Sequence, residues 1–413
     1  MFQKSLKKTA ATLVGIALLA TGLSACGGDD APSSITAVVL SGASYDGCFA
    51  DIAAAFEDEH GVEVEVLNVG FAMLRDQLLT SMAGGTNEFD VIMIAYQWTG
   101  EFAQFVVPLN DRVAAGPQTG IVPGILGMYQ FEDDQVAVPL IAQAETLFYR
   151  ADLLEAAGFA VPTTWDEFDA INEFFTNNPD FPGVHGTSVK AAEGHLVTAF
   201  NNRYFGLGGG ALGEPGSTFD VDIATAALEH LQRTVNFSPS GALQAAFPEV
   251  SAQFTDGRVV MTEMMPNTMV PHVLSQDDSN TVRGLVGTAP IPGGRAEAGG
   301  WGLAIPDTSA NSDLAWEFIN MVTSPDWDLH CFNLYGKTGI YASSYEALDG
   351  PIADFIPGVL AATEGSMPRP RGADAGEIST MMTDVIARLL AGQISDARAA
   401  AEEMGRLYDE ITS

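Results

Sequence analysis

Between Ile35 and Ala95 the chain alternates between strand and helix patterns, and this alternation constrains the fold more than any other feature. Apolar or alternating stretches predict strands at Ile35–Leu40, Val62–Val66 and Phe89–Ala95. Helical spacing of apolar residues predicts helices at Cys48–Glu59 and Leu74–Met82. Strands that are separated by helices in this way favour an α/β fold with a largely parallel sheet. Ligands of such sheets bind beyond the carboxyl ends of the strands, here Ser41–Asp46, Gly70 and Tyr96–Trp98.

The rest of the chain mixes helices with a second set of strands. The predicted helices are Trp165–Phe175, with Thr163 or Thr164 as N-cap, Ile223–Val235, Leu314–Val322, Glu377–Leu390 and Ile394–Ile411. The predicted strands are Val259–Thr262 and Leu303–Ile305. This order fits two lobes between which the chain crosses more than once better than two consecutive domains.

The N-terminus has the pattern of an export signal. Lys4, Lys7 and Lys8 precede an apolar stretch at Thr9–Ala20, and Leu23-Ser-Ala-Cys26 ends it. This pattern predicts a lipoprotein signal peptide at 1–25, lipid on Cys26 and a flexible tether at 26–34. The alternative is an ordinary cleaved signal with a cysteine nearby. No later stretch has the apolar length of a membrane span, so we expect lipid to be the membrane attachment.

The net charge is strongly negative. The chain has 18 Lys plus Arg and 53 Asp plus Glu, which gives a formal charge of −35. An acidic surface repels phosphate, and this argues against nucleic acid and anionic membranes as partners. Adaptation to salt, or solubility alone, would also explain the charge.

Catalytic and metal-binding patterns are lacking in the sequence. No His-Glu-x-x-His or Gly-x-Ser-x-Gly is present, and the Gly-x-Gly-x-x-Gly within 206–213 has neither a strand before it nor a helix after it. We therefore expect no cofactor, no metal and no enzymatic activity, although carboxylates of a secreted glycosidase could be hidden in the sequence. Cys48 and Cys331 either form one long-range disulfide or are two isolated buried thiols.

From about Ile35 onward the chain resembles the extracellular solute-binding proteins of bacterial ABC sugar importers. The matching stretches are Phe89–Met93, Ala137–Pro139, Thr146–Leu154, Pro162–Phe168, Phe254–Met261, Pro290–Gly294, Gly299–Ile305, Ala315–Ile319 and Thr323–Asp326. The resemblance implies an α/β, two-lobed, periplasmic-binding-protein-like fold of type II, with the ligand in a cleft that closes about a hinge of several crossovers. It assigns 35–139 plus 288–335 to lobe 1 and 140–287 plus 336–413 to lobe 2. Cys48 and Cys331 would then both lie in lobe 1.

Ligand-binding candidates come from the strand ends and from this resemblance. Carboxylate, amide and guanidinium groups suit sugar hydroxyls, and aromatic rings suit their C–H faces. The candidates are Tyr96, Gln97, Trp98, Gln143, Glu145, Glu193, His195, Asn267, Trp301 and Arg369. Trp301 stands between Gly299-Gly300 and Gly302, where small neighbours would let a ligand approach the ring. Asn267 takes a position where sugar binders often carry an aromatic residue.

The function implied by the resemblance is capture of an extracellular sugar or sugar alcohol and its delivery to an ABC permease. The protein would be a lipid-anchored, extracytoplasmic monomer. A secreted glycosidase and a binding protein for a polyamine or another cation are the alternatives. Affinity for a cation would fall steeply with salt, whereas affinity for neutral hydroxyls would not.

Overall fold

The computed structural model describes residues 34–192, 194–214, 216–370 and 374–413, without the side chains of residues 43 and 72. The predicted signal peptide, Cys26, the tether up to residue 33 and Glu193 lie outside the described residues. The strands are β1 (Ser34–Leu40), β2 (Glu63–Val69), β3 (Val91–Ala95), β4 (Gln130–Phe131), β5 (Asp134–Gln135), β6 (Val138–Ala144), β7 (Thr146–Arg150), β8 (His185–Ser188), β9 (Val259–Met264), β10 (Val286–Pro290) and β11 (Ala298–Ala304). The helices are α1 (Ala43–His60), α2 (Phe71–Ala83), α3 (Thr99–Phe102), α4 (Asn110–Ala115), α5 (Pro123–Gly127), α6 (Ala151–Ala157), α7 (Trp165–Phe175), α8 (Leu196–Gly206), α9 (Val221–Phe237), α10 (Phe247–Thr255), α11 (Pro266–Leu274), α12 (Ser312–Val322), α13 (Pro325–Tyr335), α14 (Ala342–Glu346), α15 (Ile356–Glu364), α16 (Ala375–Leu390) and α17 (Ala397–Thr412).

A five-stranded sheet forms the centre of the first lobe. Its order is β2-β1-β3-β11-β6, with β1 parallel to both β2 and β3 and with β11 antiparallel to β3 and β6. All of β3 is buried, as expected for an apolar strand with protein on both faces, whereas Glu63 and Glu65 on the edge strand β2 face solvent. The prediction of an α/β fold is confirmed, but the sheet is mixed rather than largely parallel, because β11 runs antiparallel between β3 and β6.

A four-stranded sheet forms the centre of the second lobe. Its order is β10-β7-β9-β8, with β7 antiparallel to β9 and β10 and with β8 parallel to β9. Helices α8, α9, α16 and α17 pack beside it around a separate apolar core. The prediction of two lobes is confirmed.

The chain crosses between the lobes at positions slightly different from the expected ones. β6 extends to Ala144, so the first crossing is at Glu145, and Pro139 lies inside β6 opposite Gly302. β10 pairs with β7 of the second lobe, so Thr288 belongs to that lobe and the second crossing follows Pro290. Tyr341 still packs in the first core, which places the third crossing beyond it. Sheet pairing sets the first two positions and core packing sets the third, and no local sequence pattern encodes either.

Two covalent or ionic links hold α13 in the first lobe. Cys331 on α13 forms a disulfide with Cys48 on α1. The buried Lys337 Nζ donates to Asp328 Oδ1 at 2.7 Å and to the Leu140 carbonyl at 3.0 Å. Both links therefore fasten the segment before the third crossing to the first lobe.

Within the described residues, no helix combines the length and apolar character needed to cross a bilayer. The same part of the chain contains no group of three or more His, Cys, Asp or Glu side chains that could hold a metal ion.

Candidate functional site

A cavity of about 440 Å³ lies between the two lobes. The first lobe contributes the segments after β1 and β3, the start of α2, the end of β6 and the start of β11. The second lobe contributes the starts of α8, α10 and α11, together with Arg369. The cavity thus lies beyond the carboxyl ends of parallel strands, where ligands of α/β sheets bind.

Aromatic side chains form one wall of the cavity. Trp301, on β11, is 8% exposed and meets Trp98 edge-on at 5.5 Å between ring centroids. Phe71, the first residue of α2, stands edge-on to Trp301 at 6.1 Å and stacks on His195 of the second lobe at 5.8 Å. Phe71 and Trp301 line the cavity, whereas Trp98, also selected from the sequence, contacts both rings without lining it.

His195 is held as a neutral imidazole. Its ring lies between Phe71 and Phe247, whose centroid is 4.5 Å away. Burial, helped by the positive charges of Lys190 and Arg369, lowers the pKa of His195 to about 3. The ring therefore offers the cavity a neutral surface with one donor and one acceptor nitrogen.

Two buried carboxylates in the cavity wall are paired with cations. Glu145, at the first crossing, lies 2.5 Å from Lys190 Nζ, and Glu297 lies 2.5 Å from the Arg369 guanidinium. Burial raises the pKa of Glu145, and the charge of Lys190 opposes that rise. Glu145 Oε2 has no hydrogen-bond partner in the part of the chain that the structure describes. The paired charges leave this wall close to neutral while keeping acceptor oxygens beside the cavity.

A second layer of buried polar groups fixes the position of Glu297. Asn201 Nδ2 donates to Glu297 Oε2 at 2.8 Å, and the Glu297 backbone N–H donates to Asn202 Oδ1 at 2.9 Å. Asn202 in turn donates to Glu263, which lies 2.7 Å from the buried Arg203. Burial favours protonation of Glu263, but the charge of Arg203 and the hydrogen bonds from Arg203 and Asn202 outweigh it and hold the pKa below its usual value.

The cavity wall also contains a hydrogen-bonded chain between the lobes. Asn267 Nδ2 donates to Tyr45 Oη at 2.8 Å, and the Asn267 backbone N–H donates to Gln143 Oε1 at 3.1 Å. Tyr45 lies in the first turn of α1 in the first lobe, whereas Asn267 lies in the first turn of α11 in the second.

Most residues selected from the sequence come together in this cavity. Those that line it are Tyr96, Gln97, Gln143, Glu145, His195, Asn267, Trp301 and Arg369. Arg369 forms a buried ion pair rather than a surface one, and its backbone N–H donates to Tyr96 Oη at 2.6 Å.

The glycines on either side of Trp301 leave space that other side chains of the protein occupy. A Cβ on Gly299 would come within 2.7 Å of Met265, and one on Gly302 within 2.6 Å of Tyr129.

Several lining residues were not selected from the sequence. Tyr45 and Phe71 belong to this group, and both could have been found, because Tyr45 lies in the strand end Ser41–Asp46 and Phe71 follows the strand end at Gly70. Thr198 and Glu297 also line the cavity, and Lys190 pairs with Glu145 behind it. No local pattern marks these three residues, because their roles depend on the packing of the second lobe.

A two-lobed α/β fold with a polar and aromatic cavity between its lobes defines a binding protein for small solutes. The chain belongs to the bacterial extracellular solute-binding protein family, whose model matches residues 44–328. The resemblance inferred from the sequence motifs is therefore confirmed.

Individual relatives are distant but span nearly the whole chain. A probable amino-acid ABC transporter periplasmic-binding protein of Sinorhizobium fredii is 24% identical over 90% of this chain and 88% of its own. The maltose-bound MalE3 of T. maritima is 25% identical with a TM-score of 0.83, covering 91% of this chain and 99% of that one. A ribitol-bound solute-binding protein of Agrobacterium radiobacter is 23% identical with a TM-score of 0.82, covering 92% and 100%.

Proposed function

We propose that this protein captures an extracellular sugar or sugar alcohol and delivers it to an ABC permease without covalent chemistry. The observation that carries the proposal is the cavity wall, which combines a tryptophan ring with buried carboxylate and amide groups. Such a wall complements a molecule with many hydroxyl groups and weakly apolar C–H faces. The maltose and ribitol bound by the two solved relatives belong to this class of ligand.

The charge of the cavity wall favours a neutral ligand. Glu145 and Glu297 are each paired with a cation, and burial keeps His195 uncharged. A polyamine would need unpaired carboxylates, because a buried ammonium group without a counter-charge is costly. The net charge of −35 is therefore not evidence for a cationic ligand.

The remaining parts of the proposal concern location and assembly. Lipid on Cys26 would hold a monomeric protein at the outer face of the cell membrane, and residues 26–34 would serve as its tether. The lobes would close on the ligand about the three crossings, so that the permease can distinguish loaded from empty protein. The variant Cys26→Ser tests the anchor, since it should move the protein into the soluble fraction and leave ligand affinity unchanged.

A thermal-shift screen followed by calorimetry tests the ligand class. Ribitol, D-mannitol, maltose, spermidine and a panel of nitrophenyl glycosides would be compared at low and high salt. We expect at least one neutral polyol or sugar to raise the melting temperature, because a ligand at 100 times its Kd stabilises the fold by about 2.7 kcal/mol. Salt-sensitive binding of spermidine alone, or turnover of a glycoside, would contradict the proposal.

A further inference from the structure

The corner of the second lobe at residues 265–267 packs directly on the first lobe at the edge of the cavity. Met265 lies so close to β11 that a Cβ on Gly299 would come within 2.7 Å of its methyl carbon. Asn267 then makes the two hydrogen bonds described above, to Tyr45 and to Gln143. We call the chain Tyr45–Asn267–Gln143 the interlobe latch.

The latch is both buried and part of the cavity wall. Tyr45, Gln143 and Asn267 are 3%, 4% and 4% exposed, and all three line the cavity. Among the described residues, Asn267 Oδ1 has no hydrogen-bond partner. If the amide were rotated by 180°, Oδ1 would meet Tyr45 Oη and Nδ2 would take the position without a partner, because only one end of the amide can reach Tyr45. In either orientation, one buried polar atom of Asn267 is therefore left without a partner among the described residues.

We propose that Asn267 couples ligand capture to lobe closure: one end of its amide latches the second lobe to Tyr45, and the other end binds a hydroxyl group of the ligand. This inference rests on the proposed function. It gives Asn267 a role that an aromatic residue at this position could not have, because a ring can stack on a sugar but has no second polar end for Tyr45.

The coupling has a physical basis in the cost of unsatisfied polar atoms. Closure over an empty cavity buries the free end of Asn267 without a partner, which costs free energy. Closure over a hydroxyl group satisfies that end, and hydrogen bonds in series strengthen one another, so the bond to Tyr45 gains as well. A ligand shifts a conformational equilibrium only through such differential interactions. The latch therefore favours the closed form when a hydroxyl group is present.

The decisive variant is Tyr45→Phe, which keeps the ring and removes the hydroxyl that meets Asn267. Ribitol, D-mannitol and maltose serve as probes, with dissociation rates measured by stopped-flow tryptophan fluorescence. We expect Tyr45→Phe to raise the dissociation rate of a bound probe about tenfold, with little change in the association rate. Small-angle scattering at saturating probe should give a larger radius of gyration than for the wild type.

The matched control is Tyr341→Phe. Tyr341 is equally buried, at 3% exposed, and its hydroxyl donates to the Thr323 carbonyl at 2.7 Å within the first lobe. This variant should lower the melting temperature but leave the dissociation rate unchanged, which separates a latch from a general loss of stability.

Two outcomes would overturn the latch. If a probe binds the wild type and leaves Tyr45→Phe at the wild-type rate, the latch is refuted and the proposed function stands. If no probe binds the wild type, the proposed function has failed, and the latch is judged on unfolding midpoints. Tyr45→Phe, Asn267→Leu and the double variant should then shift the midpoint non-additively, and additive shifts would refute the latch.

Discussion

At the residue scale, Trp301 is both a lining residue of the cavity and a member of the first core. It lines the cavity, yet only 8% of it is exposed and it packs against Trp98 and Phe71. From the sequence, a tryptophan that stacks on a ligand and a tryptophan that packs in the core are alternatives. A large ring on a strand beside a cavity can do both, because part of it packs in the core while another part reaches the cavity.

We therefore expect Trp301→Ala to reduce both the stability of the fold and the affinity for the ligand. The free energy of unfolding should fall by about 3–5 kcal/mol, because a large buried ring is removed. The free energy of ligand binding should weaken by about 1–4 kcal/mol, because an aromatic anchor is lost. Denaturant titration and calorimetry measure the two effects. Trp98→Ala is the control, since it should reduce stability with a smaller loss of affinity, and equal affinity losses in both variants would contradict the assignment.

His195 makes stability depend on pH. Its pKa of about 3 in the folded chain is below the usual value of about 6.5, so the unfolded state binds the extra proton between these two values. Stability from this group is complete above about pH 6.5 and decreases as the pH falls.

Lowering the pH from 7 to 5 should accordingly cost about 2 kcal/mol at His195. Burial raises the pKa of Glu145, which gives the opposite dependence, so the measurement must isolate the histidine. Unfolding free energies of the wild type and His195→Gln at pH 7 and pH 5 do so by difference. Equal decreases in both proteins would show that His195 titrates normally in the folded state.

At the scale of elements, the disulfide joins α1 to α13 inside the first lobe. We expect the double variant Cys48→Ser/Cys331→Ser to unfold with about 2–5 kcal/mol less free energy, because the link restricts the unfolded chain over a separation of 283 residues. Ligand affinity should remain, since the link does not cross the cavity. Denaturant titration of the wild type with and without reductant provides the matching comparison, and a loss of affinity would show that the link also supports the hinge.

Elements with strong local signals could be predicted closely from the sequence. The helix α7 has the predicted bounds, and the choice between Thr163 and Thr164 as N-cap is decided by geometry: Thr164 Oγ1 accepts from the Glu167 N–H, while Glu167 Oε2 accepts from the Thr164 N–H. The crossing at Glu145 could not be predicted, because β6 and β7 form one extended stretch that only sheet pairing divides.

The same limit applies to the candidate site. Tyr96 and Gln97 follow a strand, so parallel-sheet rules predict their place at the cavity. Lys190 and Glu297 are close to their partners only after the second lobe has folded, and neither has a distinctive sequence neighbourhood. Long-range ion pairs of this kind cannot be recognised from one sequence.

At the scale of the whole molecule, the excess of negative charge predicts a response to salt. Like charges repel more strongly in the folded state than in the unfolded one, and salt screens this repulsion. We expect the melting temperature to rise between about 0.01 and 0.5 M sodium chloride, most steeply at the low end, where the Debye length changes most. At pH 4.5 the rise should shrink, because many carboxylates are protonated. A melting temperature that does not depend on salt at pH 7 would contradict this.

The distribution of lysine has a practical consequence for chemical probing. Residues 34–413 contain two lysines, Lys190 and Lys337, and both are buried in ion pairs, with side chains 3% and 1% exposed. Reagents that acylate primary amines therefore find no accessible lysine on the surface of this region. Acylation of Lys190 or Lys337 requires the surrounding structure to open first. The rate of acylation at these two lysines therefore reports the rate of local opening or unfolding.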